Sequence, residues 1–350
     1  MIVKDQNVPV SGILVVFLIG KTDKNLETTE VVESKTMRSS PNYPDVIPKQ
    51  KIIKVFNSVV EGNKADFLVK AYLPDIVIAE VSVPMTNLLS EYVLDFKRLL
   101  FNECRTILST YGCNPDFDEE YTAYCISGYS SDPEEFFAMH GERMAILLKN
   151  ERAPLDEEEV ESTLKSSLKY SKDDLSIVDW DGAFLFDPKG DFSGNIELFE
   201  IANLQLLRSR ILNDDLDIRL KKTVDLLRRK PEKIIFRSKE IRGRLREIIK
   251  IRTESILESE AIEANIKLIG DWYSAKLYNL VSKKFHLDSW KHNIDEKLDV
   301  LEDVYSMASE NLSISLSTTL EFVLIGGWFI LLLGWFALFF LDLYLRNIVK

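Results

Sequence analysis

The sequence predicts an α+β chain. A ferredoxin-like (split βαβ) head leads into long antiparallel helices with a coiled-coil stalk, and one C-terminal transmembrane helix ends it. Three observations predict this. Up to about residue 192, β-branched apolar runs alternate with apolar residues at helical spacing. From Ile196 to Leu227 there is neither Gly nor Pro. Between Glu321 and Asp342 lie twenty residues without a formal charge, dominated by Leu, Phe, Ile and Trp.

Residues 1–65 read as a β-rich N-terminal extension. GILVVFLIG, Gly12 to Gly20, is too short to span a bilayer and supplies a buried strand over Ile13–Ile19. A polar stretch punctuated by Pro41, Pro44 and Pro48 reads as a loop, and Lys51–Val60 as a second strand. The head domain is placed at 66–192. DIVIAEVSV, Asp75 to Val83, is apolar and β-branched, hence a strand. Leu88, Tyr92, Phe96, Leu99, Leu100, Ile107 and Leu108 recur mostly at helical spacing, giving a helix buried on one face. Thr122–Tyr129 and Arg143–Asn150 (RMAILLKN) read as strands, with a short turn or helix around EEFF between them. Pro154, Asp156 and a run of Glu open a second helix, with acid placed against the positive end of the helix dipole. SIVDWDGAFLFD, Ser176 to Asp187, is strand material. The resulting order is β-α-β-β-α-β.

Residues 195–319 form the helical hairpin and stalk. Pro231 marks a turn after the first long helix, and Ser238 caps a second that runs to about Ile262. Gly270 and Asp271 stop that helix and start a third, expected to continue unbroken into the membrane segment at 320–342, with a short tail at 343–350. Leu287, Trp290, Ile294, Leu298, Leu301, Tyr305, Ala308 and Leu312 recur at steps of three and four. That is a seam of about three heptads, open either to a second subunit or to this chain's own first two helices.

At about 1.5 Å per residue the uncharged twenty-residue stretch covers about 30 Å, the hydrocarbon thickness of a bilayer. Only a helix satisfies its own backbone there. Phe322, Leu324, Trp328, Phe329, Leu332, Trp335 and Phe339 are the expected lipid-facing anchor. The charges flanking the span would put the tail, with Arg346 and Lys350, in the cytoplasm. Lys4 is cancelled by Asp5 and no cleavage site follows the Gly12–Gly20 run, so no signal peptide is expected. On that ground the soluble part is expected to face the cytoplasm in a tail-anchored arrangement.

The rest of the chain has soluble-like composition, with 29% charged residues and a net charge of −12. Cys104, Cys113 and Cys125 are odd in number and lack CxxC spacing, which fits a reducing compartment, and with three His a zinc site is not expected. No cofactor, metal or catalytic residue is assigned. IGKT, Ile19 to Thr22, resembles the end of a phosphate-binding loop, but Val15 stands where its first Gly is needed. DWDG, Asp179 to Gly182, is explained by hairpin chemistry rather than a metal site. His140, His286 and His292 have no Ser or Cys partner at a recognisable spacing.

Charge distribution is more informative. Residues 219–252 hold fourteen Lys or Arg against four acids, a balance of +10 that leaves −22 for the remainder of the −12 chain. Solvated helix faces usually mix signs, so the segment points to an anionic surface. The expected contacts are Arg228, Arg229, Lys230, Lys233, Arg237, Lys239, Arg242, Arg244 and Arg246. An antiparallel bundle would hold the tip, Arg228 to Arg237, roughly 20 Å from the bilayer entry. Anionic lipid rewards such charge, and so do the phosphates of RNA or a ribosome. Phe236 alone offers a stacking ring at the tip, so RNA would be read by backbone and shape.

NIDEKLDVLEDVYSMASENLSISLSTTLEFVLI resembles the ending of the required-for-meiotic-nuclear-division family, domain of unknown function 155. IELFEIANLQLLRSRILNDDLD resembles that family's helix after its α/β domain, as does EEFFAMHGERMAILLKN before an acidic helix start. The resemblance covers about residues 130–342 and implies anchoring rather than catalysis. Mitochondrial members are membrane-anchored and associated with organellar translation, and fungal members sit at cellular membranes. With no transit peptide expected, a prokaryotic relative at the inner membrane is implied.

The sequence thus supports a non-enzymatic, tail-anchored scaffold that recruits an anionic partner through its basic hairpin and is able to self-associate through the stalk. A CorA-like ion transporter is the first alternative, although such channels need a second membrane helix and a Gly-Met-Asn loop. An enzyme with a site in the α/β head is the second.

Overall fold

A computed structural model of the chain describes residues 9–24, 26, 33–34, 50–130, 132–228, 241, 243–256 and 272–348; for 33–34, 226–228, 308–320 and 339–348 it describes the strand or helix but not the side chains. The chain divides into two compact units. The first takes Met1–Asp215 and Leu257–Ile294, the second Leu216–Ile256 and Asp295–Lys350.

The first unit is built on a nine-stranded sheet. Its strands are β1 (Gly12–Thr22), β2 (Glu33–Ser34), β3 (Gln50–Val60), β4 (Asn63–Tyr72), β5 (Ile76–Met85), β6 (Cys113–Ile126), β7 (Ser167–Leu168), β8 (Leu175–Val178) and β9 (Gly182–Phe186), in spatial order β2-β3-β4-β5-β1-β6-β9-β8-β7. Every pairing is antiparallel except β6 with β9. β1 is the central strand, and its unbroken apolar run follows from burial on both faces.

Leu14, Val16 and Leu18 of β1 join one core with Phe67, Val81, Tyr124 and Phe184. That core is covered by α1 (Tyr92–Thr110), α2 (Pro133–Leu148) and α3 (Glu157–Leu164). Val15, Phe17 and Ile19 join the opposite core with Ile78, Tyr121 and Leu185. Phe199 and Leu206 of α4 (Ser193–Arg228), Leu277 of α6 (Trp272–Lys284) and Leu287 at the start of α7 (Leu287–Ile348) cover this second face. α5, residues 243–256, belongs to the second unit. The mixed α+β class and the single apolar C-terminal helix agree with expectation.

Several expected boundaries are corrected. Residues 1–65 are not an extension, because β1 sits at the centre of the sheet and β4 runs across the expected 65/66 junction. β4 had no place in the expected order. It is joined to β3 by a two-residue turn at Glu61 and Gly62, both at positive φ (45° and 80°), the twist that suits a tight hairpin. RMAILLKN is helical rather than a strand: Asp132 caps α2 by accepting from the Glu134 amide at 3.0 Å, Pro133 starts it, and Met144–Leu148 are its buried end. Five consecutive apolar residues carry no period that separates a buried helix from a strand. The head therefore lacks the expected β-α-β-β-α-β order. The third long helix also breaks, at Phe285–His286, where His286 adopts φ 50° and Phe285 is buried beside Tyr121 and Trp180.

Other expectations hold. Asp156 caps α3 by accepting from the Glu158 amide at 3.2 Å, with Glu157, Glu158 and Glu159 in its first turn. DWDG closes the β8–β9 hairpin, the Asp179 amide donating to the Gly182 carbonyl at 2.8 Å.

Candidate functional site

The terminal part of α7 is the clearest functional feature. Glu321–Leu338 has a mean hydropathy of 2.0, and none of it is buried by the rest of the chain. By length and composition this helix is able to cross a membrane. Of the expected anchor residues, Phe322, Leu324, Trp328, Phe329 and Trp335 are exposed and Leu332 is half-buried; the Phe339 side chain lies outside the described residues. A soluble protein does not leave so many large apolar side chains contiguous and in water.

The basic segment is only partly described. Arg229, Lys230, Lys233, Arg237, Lys239 and Arg242 fall outside the described residues, and Arg228 is described as helix without its side chain. Arg246 is exposed, while Arg244 is half-buried at 3.8 Å from Glu247. Glu247 also pairs with Arg219 at 2.9 Å, and Arg252 pairs with Glu302 at 2.5 Å and with Asp299. Part of the positive charge therefore holds the second unit together, leaving Lys221, Lys222 and Arg246 exposed to solvent.

The seam on α7 is used inside the chain. Leu298, Leu301 and Tyr305 are buried in the second unit with Leu216, Thr223, Ile241 and Ile248. The Tyr305 hydroxyl lies 2.6 Å from that of Thr223. Ala308 and Leu312 lie outside the described side chains.

The first unit contains three buried polar clusters that sequence reading missed. In one, Lys70 of β4 reaches Glu80 of β5 at 2.5 Å and Glu200 of α4 at 2.8 Å, and the Tyr72 hydroxyl donates to Glu200 at 3.5 Å. Glu200 is fully buried, and its burial, opposed by Lys70, pushes the carboxyl up to about 8. Burial works against the Lys70 ammonium, but Glu200 and Glu80 outweigh it and hold the lysine charged. The Lys70 ammonium thus bridges the Glu80 and Glu200 carboxyls, and burial pushes Glu200 toward its protonated form.

In the second cluster, Lys97 of α1 is 3% exposed, and it donates to the Tyr124 hydroxyl at 3.5 Å. Tyr124 donates onward to the Leu147 carbonyl at 3.2 Å. Burial lowers Lys97 to about 8, outweighing the opposing pull of the Asp181 and Glu120 charges. In the third, Asp179 of the DWDG turn accepts from Lys284 at 3.0 Å and lies 3.2 Å from Lys149. The signal for the first and third was a charged residue inside an apolar run: Lys70 in FLVKAY, Glu80 in VIAEV, Glu200 in LFEIA and Asp179 after SIV.

Among the described residues no group of three or more His, Cys, Asp or Glu is placed to hold a metal ion. Burial raises the Cys104 and Cys125 thiols far above the range of a reactive thiolate and Cys113 to about 11, so these are packing residues.

Among known proteins, the model of the family described as "Uncharacterized protein MJ0711, N-terminal domain" matches residues 11–193, which span β1 to the start of α4. The uncharacterized protein MJ0711 of Methanocaldococcus jannaschii is 28% identical over 305 residues, covering 87% of this chain and 90% of that protein. No solved structure matches. Nothing in these matches links the chain to the required-for-meiotic-nuclear-division family.

Proposed function

The chain belongs to the MJ0711 N-terminal domain family, and from that premise we propose that it is a non-enzymatic scaffold held at a lipid bilayer by the end of α7. One observation carries the reading: the Glu321–Leu338 helix is apolar around its circumference and finds no cover within the chain. Transfer of such a helix into hydrocarbon outweighs the cost of ordering it by many kcal/mol, since each buried CH₂ contributes about 0.8 kcal/mol. The globular units then stay on the cytoplasmic side. The basic segment around 228–246 recruits an anionic surface, RNA or lipid, by charge rather than by base sequence. Its support is the balance of +10 over residues 219–252 and the exposure of Lys221, Lys222 and Arg246.

Alkaline carbonate extraction of native membranes tests the anchor: the full chain stays in the pellet, and a chain ending at Thr319 moves to the supernatant. Release of the full chain refutes it. Reversing Arg228, Arg229, Lys230 and Lys233 to Glu tests recruitment. Binding to anionic vesicles or to ribosomes is expected to fall at least tenfold at physiological salt, and unchanged binding to both removes the basic hairpin from the account.

A second reading, an enzyme in the first unit, is favoured by Lys97, an amine that burial brings to about 8 with no carboxylate in ion-pair distance among the described residues. A small molecule retained by the wild-type chain in native mass spectrometry and lost in K97M would favour it over the scaffold.

A further inference from the structure

β3 is the last long strand on one side of the sheet. β2 pairs with it only at Ile52 and Lys51, and Ile53 bulges out of register with β4. From Lys54 to Val60 the strand is regular and, among the described residues, has no strand on its outer side. The two-residue turn at Glu61 and Gly62 makes Val60 and Asn63 the hydrogen-bonded pair that closes the hairpin. The ladder alternates from there. Ser58 and Phe56 bond inward to β4, while Val59, Asn57 and Val55 turn their backbone N–H and C=O groups outward. The side chains of those three outward residues share one face. On the other face Phe56 stacks on Phe67 at 4.9 Å, against the first core. Val55 and Val59 belong to neither core and are 57% and 65% exposed.

We propose that this edge pairs with β3 of a second copy, antiparallel about a two-fold axis at Asn57, so that two sheets join into one. The register identifies the occupant. Along the outward residues the strand reads Val55, Asn57, Val59, which is the same in both directions. Turned against itself, it sets Val55 opposite Val59 of the other copy on both sides of the axis, and Asn57 opposite Asn57. A contact between identical patches requires such self-complementarity. Every outward N–H and C=O group of the three residues then meets a partner, and the two exposed valines cover each other. Phe56 meets Ser58 and Lys54 meets Val60, so no charge faces a like charge. A slide of two residues sets Val against Asn and carries one outward residue of each strand past the regular segment. A slide of one residue sets outward groups against groups already bonded to β4. The backbone of any strand could lie along this edge, but the Val-Asn-Val pattern singles out the copy. The inference uses only β3 of the first unit and is independent of the anchor.

The test uses cysteine variants of the full chain in detergent, oxidised with copper phenanthroline. The unaltered chain, with Cys104, Cys113 and Cys125, is the background control. N57C lies on the axis, where facing Cα atoms are about 5.5 Å apart and within disulfide reach, and is expected to give a species of twice the chain mass. In V55C alone or V59C alone the two thiols stand about four residues apart along the strands, roughly 13 Å, and each should give at least fivefold less product. Mixing V55C chains with V59C chains should restore it. N57P removes an outward N–H and leaves the β3–β4 ladder whole. Light scattering of that variant should fall from two copies per particle to one, with the circular dichroism spectrum unchanged. Equal products from V55C and N57C, no dimer product from any variant, or a two-copy particle that survives N57P overturns the proposal. So does an N57C product in native membranes whose partner is another protein. The cysteine series decides the question by itself where N57P fails to fold.

Discussion

Replacing Glu200 with Gln should change how stability depends on pH in a way that isolates the buried Lys70–Glu80–Glu200 cluster. Burial raises Glu200 to about 8, against an ordinary value of 4.5. Between those values the folded chain holds one proton that the unfolded chain has released. Stability is therefore fully present below about 4.5, falls as pH rises, and levels off above about 8. The slope is about 1.4 kcal/mol per pH unit, and the whole window amounts to on the order of 3–5 kcal/mol. Gln mimics the protonated carboxyl, with one donor and one acceptor in the same shape, and does not titrate.

Urea denaturation of the detergent-solubilised chain, followed by near-ultraviolet circular dichroism at pH 5, 6, 7 and 8, provides the assay. The variant is expected to gain on the wild type by about 1 kcal/mol per unit, with the two nearly equal at pH 5. Lys97 does not confuse the measurement. Its amine is lowered from 10.5 to about 8, so its contribution changes only between 8 and 10.5, where it rises with pH, outside the window. Glu119, which burial raises to about 6 against its ion pair with Arg210, titrates alike in both chains. Parallel stability curves from pH 5 to 8 would refute the view that Glu200 is folded with its proton.

Two further outcomes follow from the buried core. K97M should stabilise the chain by about 1–3 kcal/mol at pH 6–7, with the gain vanishing as pH passes through the 8–10.5 window, because Met removes the cost of charging a buried amine; a pH-independent difference, read by the same denaturation assay, contradicts this. Gly12→Ala should cost about 1–3 kcal/mol, since a Cβ there would lie 2.5 Å from the Cys125 carbonyl oxygen, while Gly243→Ala meets nothing within 4 Å and should not destabilise. Thermal melts of the two variants side by side check it.

Legibility in the sequence followed the length and regularity of each pattern. β1, α1, α3, the β8–β9 hairpin and the terminal apolar helix were readable because each carries its own period, cap or length. β4 was not, since NKADFLVKAY mixes charge into its alternation. Lys70 sits on the inward face there, and its burial is sensible only once Glu80 and Glu200 are beside it. RMAILLKN was misread because a helix buried all around loses its period. Of the candidate site, the apolar anchor was fully legible from composition. The basic run was legible as charge, but which of its members are tied up was not. The pairing of Arg219 with Glu247 depends on helices meeting at a distance in sequence.

Local chemistry along the chain determined that this protein mixes strands with long helices and ends in a rod suited to lipid, because hydrophobic length and periodicity are written in neighbouring residues. Only the tertiary structure decided that β1 lies at the centre of the sheet, that the α7 seam at Leu298, Leu301 and Tyr305 is turned inward, and that Glu200 and Glu80 both meet Lys70. Those outcomes depend on residues up to 130 positions apart, and no local pattern specifies which of them will meet.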